Sequence, residues 1–275
     1  LSEPYVSSDL EGDLGRIRCS GKVIAHCSGG EVLRVEAVAE LDGIVQTRGT
    51  FPVANGDFAG VLEIPQPALW YPNGWGKQPL YRVNLTLWAG EERLDSWQCS
   101  QGIRRLRFLQ NENAPEGALP YTYEVNGEKI YVKGVNFTPL DHIYGDIPDA
   151  QYETSLEAAA AMGVNLIRVW GGGIIEDERF YDLCDRMGIL VWQEFIQSSS
   201  GIDNIPSKRP EFLKLLKETA VCAIKSRRNH TCLSAWSGGN ELMDKDNIPS
   251  NYEDINIAML KALVAEGLVD YVAMD

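Results

Sequence analysis

The sequence is short of the features that would place it at a glance. Its three histidines, His26, His142 and His230, fall at separations that match no metal-ligand pattern. Its six cysteines, Cys19, Cys27, Cys99, Cys184, Cys222 and Cys232, contain no C-x-x-C pair. They read as small apolar side chains. Without a disulfide pattern the expected compartment is a reducing one, the cytoplasm by default. No apolar run approaches the roughly 18 residues that a membrane-spanning helix needs. Positive charge is the scarcer sign, with 25 Lys and Arg against 39 Asp and Glu, a net charge of −14 spread along the chain. Such a surface repels phosphate backbones, which excludes nucleic acid as an expected partner. Leu1-Ser2-Glu3-Pro4 lacks the basic and apolar regions of a signal peptide. The chain begins as if in mid-sequence, so any leader is expected upstream of it.

What is present is ordinary in bulk, 44% apolar and 23% charged over 275 residues, enough for two domains. Residues 1–108 show short alternating runs: Gly15–Cys19, Glu31–Val38, Phe58–Ile64 and Leu80–Trp88. Gly29-Gly30, Asp42-Gly43 and Asn55-Gly56 stand between runs as hairpin signals. Alternation of period two with frequent turns predicts an immunoglobulin-like β-sandwich. An aromatic loop, Pro65-Gln66-Pro67-Ala68-Leu69-Trp70-Tyr71-Pro72-Asn73-Gly74-Trp75-Gly76, interrupts the strands. It reads either as a sugar-stacking loop or, preferably, as an anchor whose tryptophans hold it to the sandwich or to the next domain.

Around Asn111–Gly117 the composition turns polar, and the second domain is taken as 109–275. A hairpin is expected over Tyr121–Val125 and Lys129–Val132, turning at Asn126-Gly127. The rhythm then becomes strand, helix, four times over. Helices are predicted near 149–162, 176–187, 210–228 and 252–266, with strands at 133–137, 164–170, 189–195 and 233–237. These strands are mostly apolar throughout, as parallel strands covered by helices are. A doubly wound sheet and a (β/α)8 barrel both fit this pattern. The barrel fits better, because every strand ends in polar or aromatic groups and Gly171-Gly172-Gly173 does not make G-x-G-x-x-G. The strand ends supply Asn136 and Asp141, then Arg168 and Trp170, then Glu194, then Asn240 and Glu241. Carboxylates, amides, an arginine and a tryptophan at successive strand ends suit a polyol ligand, and glycoside hydrolysis needs two carboxylates across the scissile bond.

Five motifs carry a family resemblance. They are Trp70–Tyr81, Lys133-Gly134-Val135-Asn136-Phe137-Thr138-Pro139-Leu140-Asp141, Ile167-Arg168-Val169-Trp170-Gly171-Gly172-Gly173, Leu190-Val191-Trp192-Gln193-Glu194-Phe195 and Trp236-Ser237-Gly238-Gly239-Asn240-Glu241. In this order they resemble glycoside hydrolase family two, most closely its β-mannosidase-like members, with β-galactosidase-like members next. The resemblance implies a retaining exo-β-glycosidase that uses no metal and no organic cofactor. It implies that Glu241 is the general acid/base and that Asn240 binds the sugar 2-hydroxyl. It sets Arg168 beside the nucleophile and lines the sugar pocket with Asn136, Asp141, Trp170 and Glu194. Arg168 also reads as an ion-pair partner of Glu194 or Glu241, Trp170 as barrel filling and Trp192 as core packing.

The chain departs from the pattern in several places. Glu194 stands where Asp is more usual, and Phe137 where Trp is. Half a barrel, about four β-α units, is expected, without the family's second glutamate near strand seven. The expected consequences are an inactive chain and self-association through exposed half-barrel edges. Val269–Met274 has the makings of a fifth strand. The alternative reading is a non-catalytic carbohydrate-binding or purely structural piece.

Overall fold

The computed structural model describes residues 1–24, 32–118, 120–199, 204–250 and 253–266. Gly29-Gly30 and the expected fifth strand lie outside the described residues.

The first domain packs two antiparallel sheets face to face. One contains β1 (Ser2–Glu11), β2 (Leu14–Lys22) and β5 (Asp57–Pro65) in the order β1-β2-β5. The other contains β3 (Leu33–Leu41), β4 (Ile44–Pro52), β6 (Tyr81–Ala89) and β7 (Glu92–Gln101) in the order β4-β3-β6-β7. The alternating positions Ile17, Val35, Ala37, Val83 and Leu85 meet between the sheets and are buried. Each of the larger aliphatic side chains contributes about 1.5–3 kcal/mol by leaving water. Asp42 and Gly43 both have positive φ, 52° and 78°, as a tight hairpin turn requires. Asn55-Gly56 is also a tight turn, but the strands it joins, β4 and β5, belong to different sheets. The sequence pattern anticipated β2, β3, β5 and β6. It did not anticipate β1, β4 and β7, all three of which are sheet edges, where polar side chains blur the alternation.

A small sheet follows, with β8 (Leu106–Leu109), β9 (Thr122–Val125) and β10 (Glu128–Lys129) in the order β10-β9-β8. The expected hairpin forms, with a shorter second arm. Leu106, Tyr123, Val125 and Ile130 from this region pack with Trp70 against Leu166 and Leu190.

Leu166 and Leu190 open two strands of the second domain. Its elements are β11 (Gly134–Phe137), α1 (Asp149–Ala161), β12 (Leu166–Val169), α2 (Glu178–Met187), β13 (Leu190–Glu194), α3 (Pro210–Arg227), β14 (Leu233–Ser237) and α4 (Ile255–Ala265). The four strands are parallel and lie in chain order, β11-β12-β13-β14. A doubly wound sheet would reverse direction somewhere. Right-handed crossovers that always step the same way lay every helix on one face, which is the construction of a (β/α)8 barrel. Ile167, Val169, Val191 and Trp236 point to that helical face and join residues of all four helices in one core. The fold is therefore a β-sandwich followed by part of a (β/α)8 barrel.

The aromatic loop is the clasp between the two. Trp70 is fully buried, and its indole Nε1 donates to the Asp185 carbonyl at 2.8 Å. Asn73 donates to the carbonyls of Ala160 (2.8 Å) and Val164 (3.0 Å), closing the end of α1. Arg104 donates from the other side to Thr231 O (2.8 Å) and Leu233 O (2.9 Å). We expect Trp70→Ala to destabilise the chain by about 3–5 kcal/mol, the usual loss for a buried tryptophan. Denaturant unfolding would check this, and a loss below about 1 kcal/mol would remove Trp70 from this role.

Candidate active site

Strand register sets the site before any side chain is considered. Asn136, Arg168, Trp192 and Ala235 are paired across the four strands, and the next inward row brings Glu194 opposite Ser237. Because side chains alternate along a strand, this row faces away from the helices. Arg168 is its hub. Its Nε and Nη2 both donate to Glu194 Oε1, at 2.9 and 2.7 Å. Nη1 donates to Asn136 Oδ1 at 3.3 Å, and Nη2 also reaches Asn240 Oδ1 at 2.9 Å. The Glu194 side chain has no exposure, whereas that of Arg168 keeps 26%. Glu194 Oε2 accepts from the Gly171 backbone N–H at 2.7 Å. A buried carboxylate thus fixes a partly open guanidinium from behind.

The three glycines after β12 allow this approach. A Cβ on Gly171 would lie 2.6 Å from Phe195 O, one on Gly172 would lie 2.0 Å from the Trp170 ring, and one on Gly173 would lie 2.8 Å from Pro139. They are close-packing glycines and not a phosphate cradle. Below them Glu176 is buried and accepts from the Tyr152 hydroxyl at 2.6 Å. Burial raises its carboxyl above the usual range, with the Tyr152 hydrogen bond opposing.

After β14 the chain turns through Gly238 and Gly239 to Asn240 and Glu241. Asn240 Nδ2 donates to Ser198 Oγ at 3.1 Å, and the Ser199 hydroxyl donates to Glu241 Oε2 at 2.9 Å. Glu241 is exposed and has φ of 53°. A non-glycine residue in that left-handed region is strained by about 1 kcal/mol or more and persists only where its surroundings hold it.

Two family models match the chain. "Glycosyl hydrolases family 2" covers residues 21–104, and "Glycosyl hydrolases family 2, TIM barrel domain" covers residues 121–273. The chain belongs to glycoside hydrolase family 2. Among family 2 relatives, β-mannosidase B of Thermothelomyces thermophilus is 32% identical over 241 residues, which is 88% of this chain and 28% of that protein. The mannosylglycoprotein endo-β-mannosidase of Lilium longiflorum is 37% identical over 194 residues, 67% of this chain and 19% of its own length. The crystal structure of the β-D-mannosidase of Dictyoglomus thermophilum aligns with a TM-score of 0.82 and 27% identity, over 98% of this chain and 34% of that one. A β-glucuronidase of Parabacteroides merdae, at 18% identity and a TM-score of 0.70, shares the fold. The chain spans about a fifth to a third of the length of these family 2 proteins.

Of the residues picked out from the sequence, the fold joins Asn136, Arg168, Glu194 and Asn240 in one hydrogen-bonded set, with Glu241 next to Asn240. Trp170 is half-buried, with its ring over Gly172, and its backbone N–H donates to Phe137 O at 3.0 Å. Asp141 is exposed, and its Oδ1 accepts from Ile143 N at 2.9 Å within its own loop. Trp192 is partly buried against the Trp70 cluster. Sequence reasoning passed over Gln197, Ser198 and Ser199. The signal available was a polar run, Gln197-Ser198-Ser199-Ser200, beginning three residues past the last residue of β13.

A second titratable cluster lies between the domains. His230 Nδ1 sits 2.8 Å from Asp185 Oδ2, and Nε2 sits 3.0 Å from Glu178 Oε1. Asp185 Oδ1 also accepts from Cys232 N at 2.6 Å. Burial opposes a charge on His230, but the two carboxylates outweigh it and raise its pKa to about 10. The donor atoms of Asp185, His230 and Cys232 lie within 4.8 Å of one another, a grouping that their sequence spacing did not suggest. A metal ion there would have to displace a proton held between two carboxylates, so we assign the cluster as an ion-pair network.

Proposed function

We propose that this chain contributes the acid/base half of a retaining exo-β-glycosidase active site, with a terminal β-mannoside as the first-choice substrate and a β-galactoside as the second. The observation that carries the reading is the Arg168 hub, which ties Asn136, Glu194 and Asn240 together beside Glu241. In this reading Glu241 protonates the leaving oxygen and later takes a proton from water. Its exposure and its tether to the Ser199 hydroxyl suit a group that must meet solvent-borne substrate. Asn240 and Asn136 present amides to sugar hydroxyls, and Asp141 and Trp170 border the pocket. Glu194 acts through Arg168, because its carboxylate is wholly buried and ion-paired. The division at 1–108 and 109–275 is part of the same proposal. The mannosidase relatives and the 0.82 TM-score support the choice of sugar.

Retaining hydrolysis needs a second carboxylate about 5–5.5 Å from the acid to form the glycosyl-enzyme. Glu194 is committed to Arg168 and Gly171 and is unsuited to attack. We therefore expect residues 1–275 alone to give no turnover of an aryl β-mannoside. A chimera in which this chain replaces the matching part of the Dictyoglomus enzyme should hydrolyse it. Glu241→Gln in that chimera should lower kcat by roughly 10²–10⁴-fold. A folded chimera whose turnover ignores Glu241→Gln would overturn the assignment.

A further inference from the structure

Gln197 has no place in the chemistry described so far, yet its backbone and side chain touch most of the turn that ends in Glu241. It is 8% exposed, three residues beyond the last residue of β13. Its Nε2 donates to the Gly238 carbonyl at 2.6 Å, and its own carbonyl accepts from Asn240 N at 3.0 Å. One residue on, Ser198 bridges Asn240 in parallel fashion, and Ser199 N donates to Asn240 O at 2.9 Å. Residues 197–199 therefore continue the β13–β14 pairing past the ends of both strands. The backbone ladder is interrupted at Gly238–Gly239, where Gly239 has φ of 151°, and resumes at Asn240. The Gly238 carbonyl, buried at that break, takes its hydrogen from the Gln197 side chain instead.

The fit is close on the other side as well. A Cβ on Gly239 would lie 2.7 Å from both Gln197 Cγ and Gln197 O. The side chain is itself held from behind: Asn256, fully buried in the first turn of α4, donates from Nδ2 to Gln197 Oε1 at 3.2 Å and to Ser207 O at 3.0 Å. Asp254 caps the same turn by accepting from Asn256 N at 2.9 Å, and it pairs with Lys208 Nζ at 3.1 Å. A buried amide thus links the start of α4 to the Gly238–Gly239 turn.

We infer that Gln197 is a positioning residue: its side-chain amide locks the Gly238–Gly239 turn to α4 and so aims Asn240 and the strained Glu241. Its importance for glycoside cleavage rests on the function proposed above, but the mechanical link does not. Gln197→Met keeps the volume and removes both hydrogen bonds. Gln197→Glu keeps an acceptor for Asn256 but sets an oxygen against the Gly238 carbonyl, and it serves as a second probe should the Met variant fail to fold.

Amide hydrogen exchange on the 275-residue chain reads the link without any sugar. The Asn240 and Ser199 amides should exchange at least tenfold faster in both variants, with the Val191 and Phe195 amides, which bond across β13–β14, unchanged. Unchanged exchange at Asn240 and Ser199 in a folded variant overturns the inference, as does protection fully restored in Gln197→Glu. Calorimetric titration of the unmutated chain with mannose is run alongside. Absence of sugar binding there counts against the proposed function and leaves the exchange result to decide Gln197.

Discussion

Arg168→Met should destabilise the chain by about 3–5 kcal/mol, because it leaves Glu194 as a buried carboxylate without its countercharge. Arg168 is the cation bonded to both Asn136 and Asn240, and it meets Glu194 through two of its nitrogens. Glu194 would keep the Gly171 N–H, a neutral donor, but lose the two guanidinium N–H groups on Oε1. The melting temperature should fall on the order of 10 °C, taking about 2–4 °C per kcal/mol for a chain of this size. The double variant Arg168→Met/Glu194→Gln should recover a large part of the loss. The charge is then gone, and the amide oxygen still accepts from Gly171. A single variant that melts within about 2 °C of the parent, or a double variant no better than the single, would show that the pair is not an electrostatic anchor. The pair stands at the strand ends, so this result also bears on how rigidly Asn136 and Asn240 are held for substrate.

The second large effect is expected in the pH dependence of stability, and it comes from the domain junction. His230 lies between Asp185 and Glu178, with Asp182 3.9 Å away and its ring stacked on Tyr181. Arg227 stands over the same Tyr181 ring, with its guanidinium 5.3 Å from the centroid, and pairs with Glu178 at 2.7 Å. Cys232, from the strand side, is a buried thiol pushed well above its ordinary range, mainly by burial. The folded chain holds the His230 proton to about pH 10, against the ordinary 6.5. A group whose pKa is raised on folding stabilises fully below its unfolded value and loses that contribution as pH climbs to the folded one. The contribution is therefore complete below pH 6.5 and declines up to about pH 10. The slope in that window is about 1.4 kcal/mol per pH unit. His230→Gln should flatten this slope, and the difference in stability between parent and variant should shrink as pH rises from 6.5 to 10. Calorimetric melting across that range is the measurement. Parallel curves for the two proteins would mean that His230 is neutral in the fold.

Much of the architecture was legible in the sequence because two periodicities carry it. Alternation of period two marked β2, β3, β5 and β6 of the sandwich, and apolar strand runs alternating with helical segments marked the second domain. Left-handed glycines close two of the helices: Gly188 has φ of 74° at the end of α2, and Gly163 has φ of 80° just after α1. The edge strands β1, β4 and β7 were not legible, since an edge has one hydrogen-bonded side and tolerates polar residues on both faces. Strand β8 was not legible either: it is only four residues long, and it pairs with β9 and packs against the starts of β12 and β13.

The sequence by itself determined which groups stand at strand ends: Asn136, Arg168, Glu194, Asn240 and Glu241 each follow or close an apolar run, and a parallel sheet leaves such groups on one rim. It also determined the family, through motifs whose order is as informative as their content. Only the tertiary structure decided what those groups do to one another. Burial and charge turn Glu194 inward as the anchor of Arg168, a contact between residues 26 positions apart in the chain. The packing of α2 beside the segment leading into β14 brings His230 between carboxylates 45 and 52 positions away. Gln197 acquires its place by meeting a glycine carbonyl 41 positions later. Each of these depends on distances between distant segments, and local pattern carries no record of distance.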